Sequence, residues 1–331
     1  MRIATRRPLA APSSLNALLA CGVAGILLVA VIALATLRFA GSTGGTSTER
    51  PALSMADAFG LGGFASLGRT GLGDAPSPAR RDVIVTYYGS PRAPAMGILG
   101  QHAPDIAADL LADRAARFEA LNDGAPVLPA IHLVYAVAQP QAKSDGLYLQ
   151  YVDDRTVRQY IELARRRGFV LILDLQIGHS NALAEVQKIA KYLAEPDVFV
   201  ALDPEFALDG NLKPGEAIGS IDASDINAVQ WYLAAISSQN HVPKKMLVVH
   251  QFQAEMITNA AAIERHDDVD LIVDMDGYGP ADIKEAKYAR FGAASYAPFG
   301  GIKVFLQHDP DPLTEAQLMR LLPRPSLFVY Q

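Results

Sequence analysis

The chain has a single cysteine, and several other features that it lacks narrow the chemistry it can perform. One cysteine among 331 residues excludes an intrachain disulfide and a cysteine-based metal site. No cluster of lysine and arginine is interleaved with aromatic residues, and the net charge is -6, which together argue against nucleic acid as a partner. The sequence contains no internal repeat, no heptad array and neither an H-x-H nor an H-E-x-x-H pair. Its length and composition fit one large globular domain with appendages.

The first 80 residues differ in composition from the rest. Ala17–Leu37 is apolar and uncharged, is long enough to span a bilayer and follows three arginines. These features predict a cytoplasmic tail at 1–14, a transmembrane signal anchor at 15–37 and an extracytoplasmic carboxy-terminal part. A cleaved signal peptide is the alternative, because Ala33-Leu34-Ala35 has the spacing of a cleavage site, and the protein would then be secreted. Residues 38–80 are rich in Gly, Ser, Thr, Ala and Pro, which predicts a flexible linker.

From residue 81 onward, apolar runs alternate with amphipathic stretches. A fully apolar run between helical segments is typical of a strand covered on both faces, as in parallel sheets. Eight such runs predict an α/β fold, a (β/α)8 TIM barrel over 81–331. The runs are DVIVTYYG, VLPAIHLVYAV, FVLILDLQ, VFVALDPEF, KMLVVHQFQ, VDLIVDMDGYG, GIKVFLQ and SLFVYQ. A doubly wound open sheet is the alternative, but YYGSPRAPAMG after the first run is not a G-x-G-x-x-G phosphate loop.

Carboxylates end three of the eight apolar runs. Residues two apart on a strand point to the same face, about 6 to 7 Å apart along the backbone. The three pairs are Asp174 with Gln176, Asp203 with Glu205, and Asp274 with Asp276. We expect them to converge at one mouth, since barrel enzymes hold their active sites at the carboxyl ends of the strands. Repulsion and desolvation there would raise the pKa of one carboxyl while a neighbour stays ionised, as glycoside hydrolysis requires.

At Asp203-Pro204-Glu205 the chain resembles the D-x-E signature that ends the fourth strand in barrel glycoside hydrolases, such as the family 25 lysozymes and the family 18 chitinases. In the chitinase-like family the last Asp orients an acetamido group, the Glu donates a proton and a sixth-strand Tyr assists. The resemblance therefore implies these roles for Asp203, Glu205 and Tyr278. The chain departs from the longer chitinase motif at Val198 and Ala201, where that family has acids.

The sequence thus predicts a membrane-anchored, extracytoplasmic glycoside hydrolase that acts on a cell-envelope or extracellular polysaccharide without a cofactor or a metal. Glu205 is the expected general acid, and Asp203, Asp174 or Asp276 is the expected second carboxylate. The residues expected to bind substrate are Gln176, Tyr278, His250, Gln251, Asp274, Lys303, Tyr88 and Gln307. In contrast, His132 is expected to pack in the core or at the rim.

Two other functions fit the same residues. A barrel that has lost hydrolysis could hold a glycan or a partner protein at the membrane. A metal-dependent hydrolase would use His250 with Asp174, Asp203 or Asp274 as ligands. Loss of activity on chelation would favour the metal-dependent reaction over carboxylate catalysis alone.

Overall fold

The computed structural model describes residues 77–80, 83–292, 294 and 296–331. The predicted cytoplasmic tail, the predicted anchor at 15–37 and most of the predicted linker lie outside these residues. In this described part, no helix is both long and apolar enough to cross a membrane.

All eight apolar runs form strands, and the strands close into a parallel barrel. Each strand pairs with the strands before and after it, and the first pairs with the eighth. This closure confirms the barrel prediction and overturns the open doubly wound sheet. The strands are β1 Val83–Gly89, β2 Val127–Ala138, β3 Val170–Gln176, β4 Val198–Asp203, β5 Lys245–Gln251, β6 Val269–Met275, β7 Phe299–Val304 and β8 Leu327–Tyr330. Three shorter strands lie outside the barrel: Leu149–Tyr151, antiparallel to β2, and Ile221–Asp222, which pairs with Ile257–Thr258.

Helices of unequal length follow most of the strands. They are α1 Ile98–Gln101, α2 Pro104–Leu121, α3 Asp154–Arg167, α4 Ala182–Lys188, α5 Ala190–Leu193, α6 Ala223–Asn240, α7 Ala281–Lys287 and α8 Glu315–Leu318. The ends of α3 show how the sequence sets these limits. The Asp153 carboxylate accepts a hydrogen bond from the Thr156 amide and so caps the first turn of the helix. Gly168 ends the helix in the left-handed conformation, which glycine adopts without strain.

The connection between β5 and β6 departs from a regular (β/α)8 barrel. Two 3₁₀ turns, Ala254–Met256 and Ala260–Ala262, stand where a helix is expected. Side chains of α6 bind the backbone of this connection. Asn227 Nδ2 donates to the Ala262 carbonyl at 3.0 Å, and Gln230 Nε2 donates to the Glu264 carbonyl at 2.9 Å. Backbone carbonyls of this connection are therefore hydrogen-bonded by side chains of α6, and not by the backbone amides of a helix of their own.

The barrel has two separate apolar layers because side chains alternate along each strand. Inside the barrel, Ile84, Ile172, Phe199 and Val248 form one buried cluster. The opposite faces of the strands pack against the helices in a larger cluster. Apolar side chains thus fill most of the middle of the barrel, and the charged side chains of its interior lie toward its two ends.

Residues 77–80 cover the amino-terminal end of the barrel, which we call the floor. The Ser77 hydroxyl donates to the buried Asp270 carboxylate, and Arg80 Nη2 lies 2.6 Å from Asp270 Oδ1. Ala79 is buried with the interior cluster. These four residues, the last of the predicted linker, thus pack against the barrel.

Candidate active site

Three buried residues at the carboxyl-terminal end of the barrel, which we call the mouth, form a linear network. His250 lies opposite Asp274 in the register between β5 and β6. Its Nδ1 atom is 3.0 Å from Asp274 Oδ2, and its Nε2 atom is 3.0 Å from Asp174 Oδ2. None of the three side chains is exposed. Gly301, opposite Asp274 on β7, makes room for this carboxylate, since a Cβ atom there would lie 2.7 Å from Asp274 Oδ1.

His132 joins this network from β2, although the sequence analysis assigned it to packing. Its Nε2 atom lies 3.3 Å from the same Asp174 oxygen that faces His250. Its ring stacks on that of His250 with centroids 5.5 Å apart. Neither ring nitrogen of His132 has a hydrogen bond of good geometry within the described part of the chain. An apolar strand gives no local signal for this role, because only the closed barrel shows what lies across its interior.

Charge sharing moves the pKa values of this network in opposite directions. Burial alone would raise the pKa of Asp174, but His250 and His132 outweigh it and hold that pKa below its usual range. Burial would likewise lower the pKa of His250, but Asp174, Asp274 and Asp276 together outweigh burial and raise it. For His132 burial prevails and its pKa is lowered.

Lys303 supplies a permanent cation beside this network. Its Nζ atom is 3.1 Å from Asp276 Oδ2 and 3.6 Å from the centre of the Tyr88 ring. Burial would lower the pKa of Lys303, but Asp276 and Asp174 outweigh it and raise the pKa. Burial followed by the charge of Asp174 raises the pKa of Tyr88. The ammonium group and the Asp276 carboxylate therefore form a buried ion pair, and the buried Tyr88 ring packs against the ammonium group.

Asp203 and Glu205 occupy the adjoining part of the mouth, and neither has a cation in contact among the residues that the structure describes. The short 3₁₀ turn at Pro204–Phe206 lets the Glu205 amide donate to Asp203 Oδ1 at 3.1 Å. Gln176, opposite Asp203 in register, donates to Asp203 Oδ2 at 3.4 Å. Burial, with Asp174 and Asp276 nearby, raises the pKa of Asp203 to about 7. Burial and the neighbouring Asp203 raise the pKa of Glu205 to about 8.

The remaining predicted substrate contacts lie at the rim. Gln251 is buried and accepts a hydrogen bond from the Tyr296 hydroxyl, a partner that the sequence did not indicate. Tyr278 is 36% exposed and its ring lies 6.0 Å from that of Phe305. Gln307 is exposed in a turn after β7. The structure thus brings most predicted residues into one network and leaves Tyr278 and Gln307 on its outer edge.

A buried lysine fixes the loops that carry these rim residues. Lys284 donates to the carbonyls of Gly277 and Lys303 at 2.8 and 2.6 Å, and lies 3.1 Å from Asp309 Oδ2. Asp309 also accepts a hydrogen bond from the Gly279 amide at 2.9 Å. Because these bonds join the ends of β6 and β7, they position Asp276 and Lys303 relative to each other.

One group in the described residues has the donor atoms for a metal ion. His132, Asp174 and His250 each place one donor atom within 4.8 Å of the others. The metal-dependent alternative predicted from the sequence had two of these ligands, His250 and Asp174. It did not include His132, and named Asp203 or Asp274 as further choices. Asp274 contacts His250 on its far nitrogen, where it can orient the ring.

No family model and no curated protein matches the chain. Among solved structures, it is similar to the endoglucanase Cel5A of Thermotoga maritima, with a TM-score of 0.40 and 12% identity over 77% of this chain and 91% of that chain. A tri-modular GH5 endo-β-1,4-glucanase from Bacillus licheniformis gives 0.40 and 12%, covering 77% and 55%. The mannanase BCman of Bacillus subtilis gives 0.37 and 14%, covering 76% and 81%.

Scores and identities this low carry no argument about activity. The barrel itself is established by its strand order. The resemblance to families 25 and 18 gains no support from these structures.

Proposed function

We propose that the protein is a glycoside hydrolase with Glu205 as its general acid. The observation that carries this proposal is a contrast between carboxyl groups at the mouth. Glu205 has its pKa raised to about 8, whereas Asp276 is paired with the Lys303 ammonium. One acid that holds its proton near neutral pH and one charge-paired carboxylate are the two groups that glycosidic cleavage uses.

The geometry assigns a step to each group. Glu205 is partly exposed, so that its proton can reach the oxygen of a bound glycosidic bond. As that bond breaks, the proton moves from Glu205 to the leaving oxygen, and the Asp276 carboxylate stabilises the positive charge that develops on the sugar ring. Water then adds to the anomeric carbon, and the proton it releases returns to Glu205. Burial and the neighbouring Asp203 keep the pKa of Glu205 high, which holds the acid in its reactive form.

A polysaccharide is the proposed substrate. The resemblance of Asp203-Pro204-Glu205 to the D-x-E signature supports this class, as does the chemistry of the rim. The exposed Tyr278 ring can stack on a sugar face, and the amide of Gln251 can hydrogen-bond a hydroxyl. A cell-envelope or extracellular glycan fits a barrel held at the outer face of a membrane.

We further propose that residues 15–37 hold the barrel at the outer face of a membrane. This rests on the apolar run and the arginines before it. Protease treatment of intact cells tests it: loss of the barrel epitope from the cells supports an outward-facing anchor, and full protection contradicts it. Recovery of the barrel in the medium, with the amino terminus removed, would indicate the cleaved signal peptide instead.

The test of the activity is reducing-end release from a panel of envelope and storage glycans by the full chain in detergent. The Glu205→Gln variant is assayed beside it, with Glu216→Gln as the control, because Glu216 is an exposed acid in the same loop. We expect release by the wild type and the control only. Full activity in Glu205→Gln would contradict the assignment. Retention of a glycan without release by the folded wild type would indicate a binding barrel.

A further inference from the structure

We propose that the mouth holds a first-row divalent cation of the zinc class, bound by His132 Nε2, Asp174 Oδ2 and His250 Nε2. This site is independent of whether the barrel cleaves a glycan. It is supported by the donor spacing, by unpaired buried atoms, by the contact behind His250 and by the charge of the mouth.

Two of the three donor distances are close to those of tetrahedral coordination, and the donor atoms of the two histidines lie within 4.8 Å of each other. Bonds of about 2.0 to 2.1 Å to zinc place neighbouring ligand atoms roughly 3.3 Å apart. Asp174 Oδ2 lies 3.0 Å from His250 Nε2 and 3.3 Å from His132 Nε2. A cation between the three atoms would therefore require little movement of the strands that carry them.

Unpaired atoms surround the same point. The side chain of His132 is fully buried, and both of its ring nitrogens are unbonded in the described part of the molecule. Asp174 Oδ1 is also buried there without a hydrogen bond. Leaving such groups unpaired is destabilising, and a bond from His132 Nε2 to a cation would offset part of that cost.

Asp274 contacts the ring nitrogen of His250 that faces away from the proposed metal. Metal sites commonly orient a histidine ligand by a carboxylate in this position. The Asp274 carboxylate lies 3.0 Å from His250 Nδ1, so that Nδ1 can carry the proton. The Nε2 atom then presents its lone pair toward Asp174 and His132. A carboxylate behind a histidine in this way fixes the ring and makes its coordinating nitrogen more basic.

The charge of the mouth also favours a cation. Five carboxyl groups meet there, and Lys303 is in contact with Asp276 alone among them. They are Asp174, Asp203, Glu205, Asp274 and Asp276. Two nitrogens and one oxygen select a zinc-class ion over calcium or magnesium, which prefer oxygen ligands. Three protein ligands leave one position for water or substrate.

The test is zinc uptake by the full chain in detergent after treatment with EDTA and removal of the chelator. We expect one zinc per chain by elemental analysis and a higher Tm with zinc than without it. His132→Leu should weaken zinc binding at least 100-fold, whereas Asp274→Asn should weaken it about 10- to 100-fold. The matched control His102→Leu, at an exposed position far along the chain from the network, should bind zinc as the wild type does.

A second measurement decides the case in which His132→Leu does not fold. X-ray absorption of the zinc-loaded wild type should show two imidazole ligands. Oxygen ligands alone, no zinc uptake by the wild type, or unchanged affinity in a folded His132→Leu variant would each overturn the site. Glu205→Gln should retain zinc, so that a failed hydrolase assignment and a failed metal site give different results.

Discussion

The two ends of the barrel both bury charges, but they neutralise them differently. At the floor, Asp270 has its own partners in Arg80 and Ser77. The buried Lys245 ammonium donates to the Glu195 and Val198 carbonyls at 2.7 and 3.0 Å, and burial lowers its pKa to about 7. Each floor charge is therefore matched locally, an arrangement that serves stability.

At the mouth, the partners are shared. His250 contacts both Asp174 and Asp274, while Asp203 and Glu205 have no cation in contact among the described residues. Burial raises the pKa of Asp203 and Glu205, whereas for Asp174 the two histidines outweigh burial and lower the pKa, so the values at the mouth are displaced in opposite directions. That displacement is typical of sites that move protons. The comparison teaches that the arrangement of partners, and not burial itself, separates a structural charge from a reactive one.

The sharpest test of this difference is Glu205→Gln at the mouth. We expect kcat/KM to fall about 10²- to 10⁴-fold, because the amide cannot donate the proton of a general acid. Reducing-end release measures the loss, and circular dichroism checks the fold. A fall of similar size in the control Glu216→Gln would show that the assay does not report on the mouth.

Removal of the Lys303 cation should destabilise the mouth strongly. Lys303→Met leaves Asp276 buried without its ammonium partner, which we expect to lower the free energy of unfolding by about 3 kcal/mol. Urea unfolding measures the change. The double variant Lys303→Met/Asp276→Asn should recover part of the loss, because it also removes the unpaired charge. Equal stability of the single and double variants would mean that the ion pair contributes little.

The protonated carboxyls should make stability depend on pH. The folded pKa of Glu205, about 8, lies above its ordinary value of 4.5, so the folded state holds a proton that the unfolded chain releases between these values. Its stabilising contribution is complete below pH 4.5 and is lost as the pH rises through 8. Urea unfolding across this range should show the decline, and Glu205→Gln should make it shallower. An identical pH dependence in the variant would contradict the raised pKa.

The pH profile of activity should reveal the coupling between the two mouth acids. General acid catalysis by Glu205 requires its protonated form, so kcat/KM should fall as the pH rises through about 8. Asp203→Asn removes the neighbouring charge that helps to raise this pKa, and the alkaline limb should move to lower pH. A limb that stays in place would show that Asp203 does not set the pKa of Glu205.

A floor variant gives the smallest and most selective effect. Arg80→Gln should lower the free energy of unfolding by about 1 kcal/mol, because the half-exposed guanidinium leaves while Ser77 still bonds Asp270. Thermal unfolding measures this loss. We expect kcat/KM to be unchanged, and a drop in activity with intact stability would mean that floor and mouth are coupled.

The strand pattern and the positions of the acids could be predicted from the sequence. The apolar runs from Val83 to Tyr330 are local signals, and all eight form barrel strands. Placing Asp174, Asp203 and Asp276 at one mouth followed from these runs, since parallel strands end on the same side of a barrel. The limits of α3 are local in the same way, because its N-cap Asp153 and its terminal Gly168 lie next to it in sequence.

Only the tertiary structure decided which of these groups meet. His132 looked like a core residue, because nothing near it in sequence shows that Asp174 and His250 lie across the barrel. The closing register placed Gly301 beside Asp274 and Lys303 beside Asp276. Hydrophobic periodicity is local and sets the strands, whereas partners, pKa values and donor spacing depend on contacts between residues far apart in the chain.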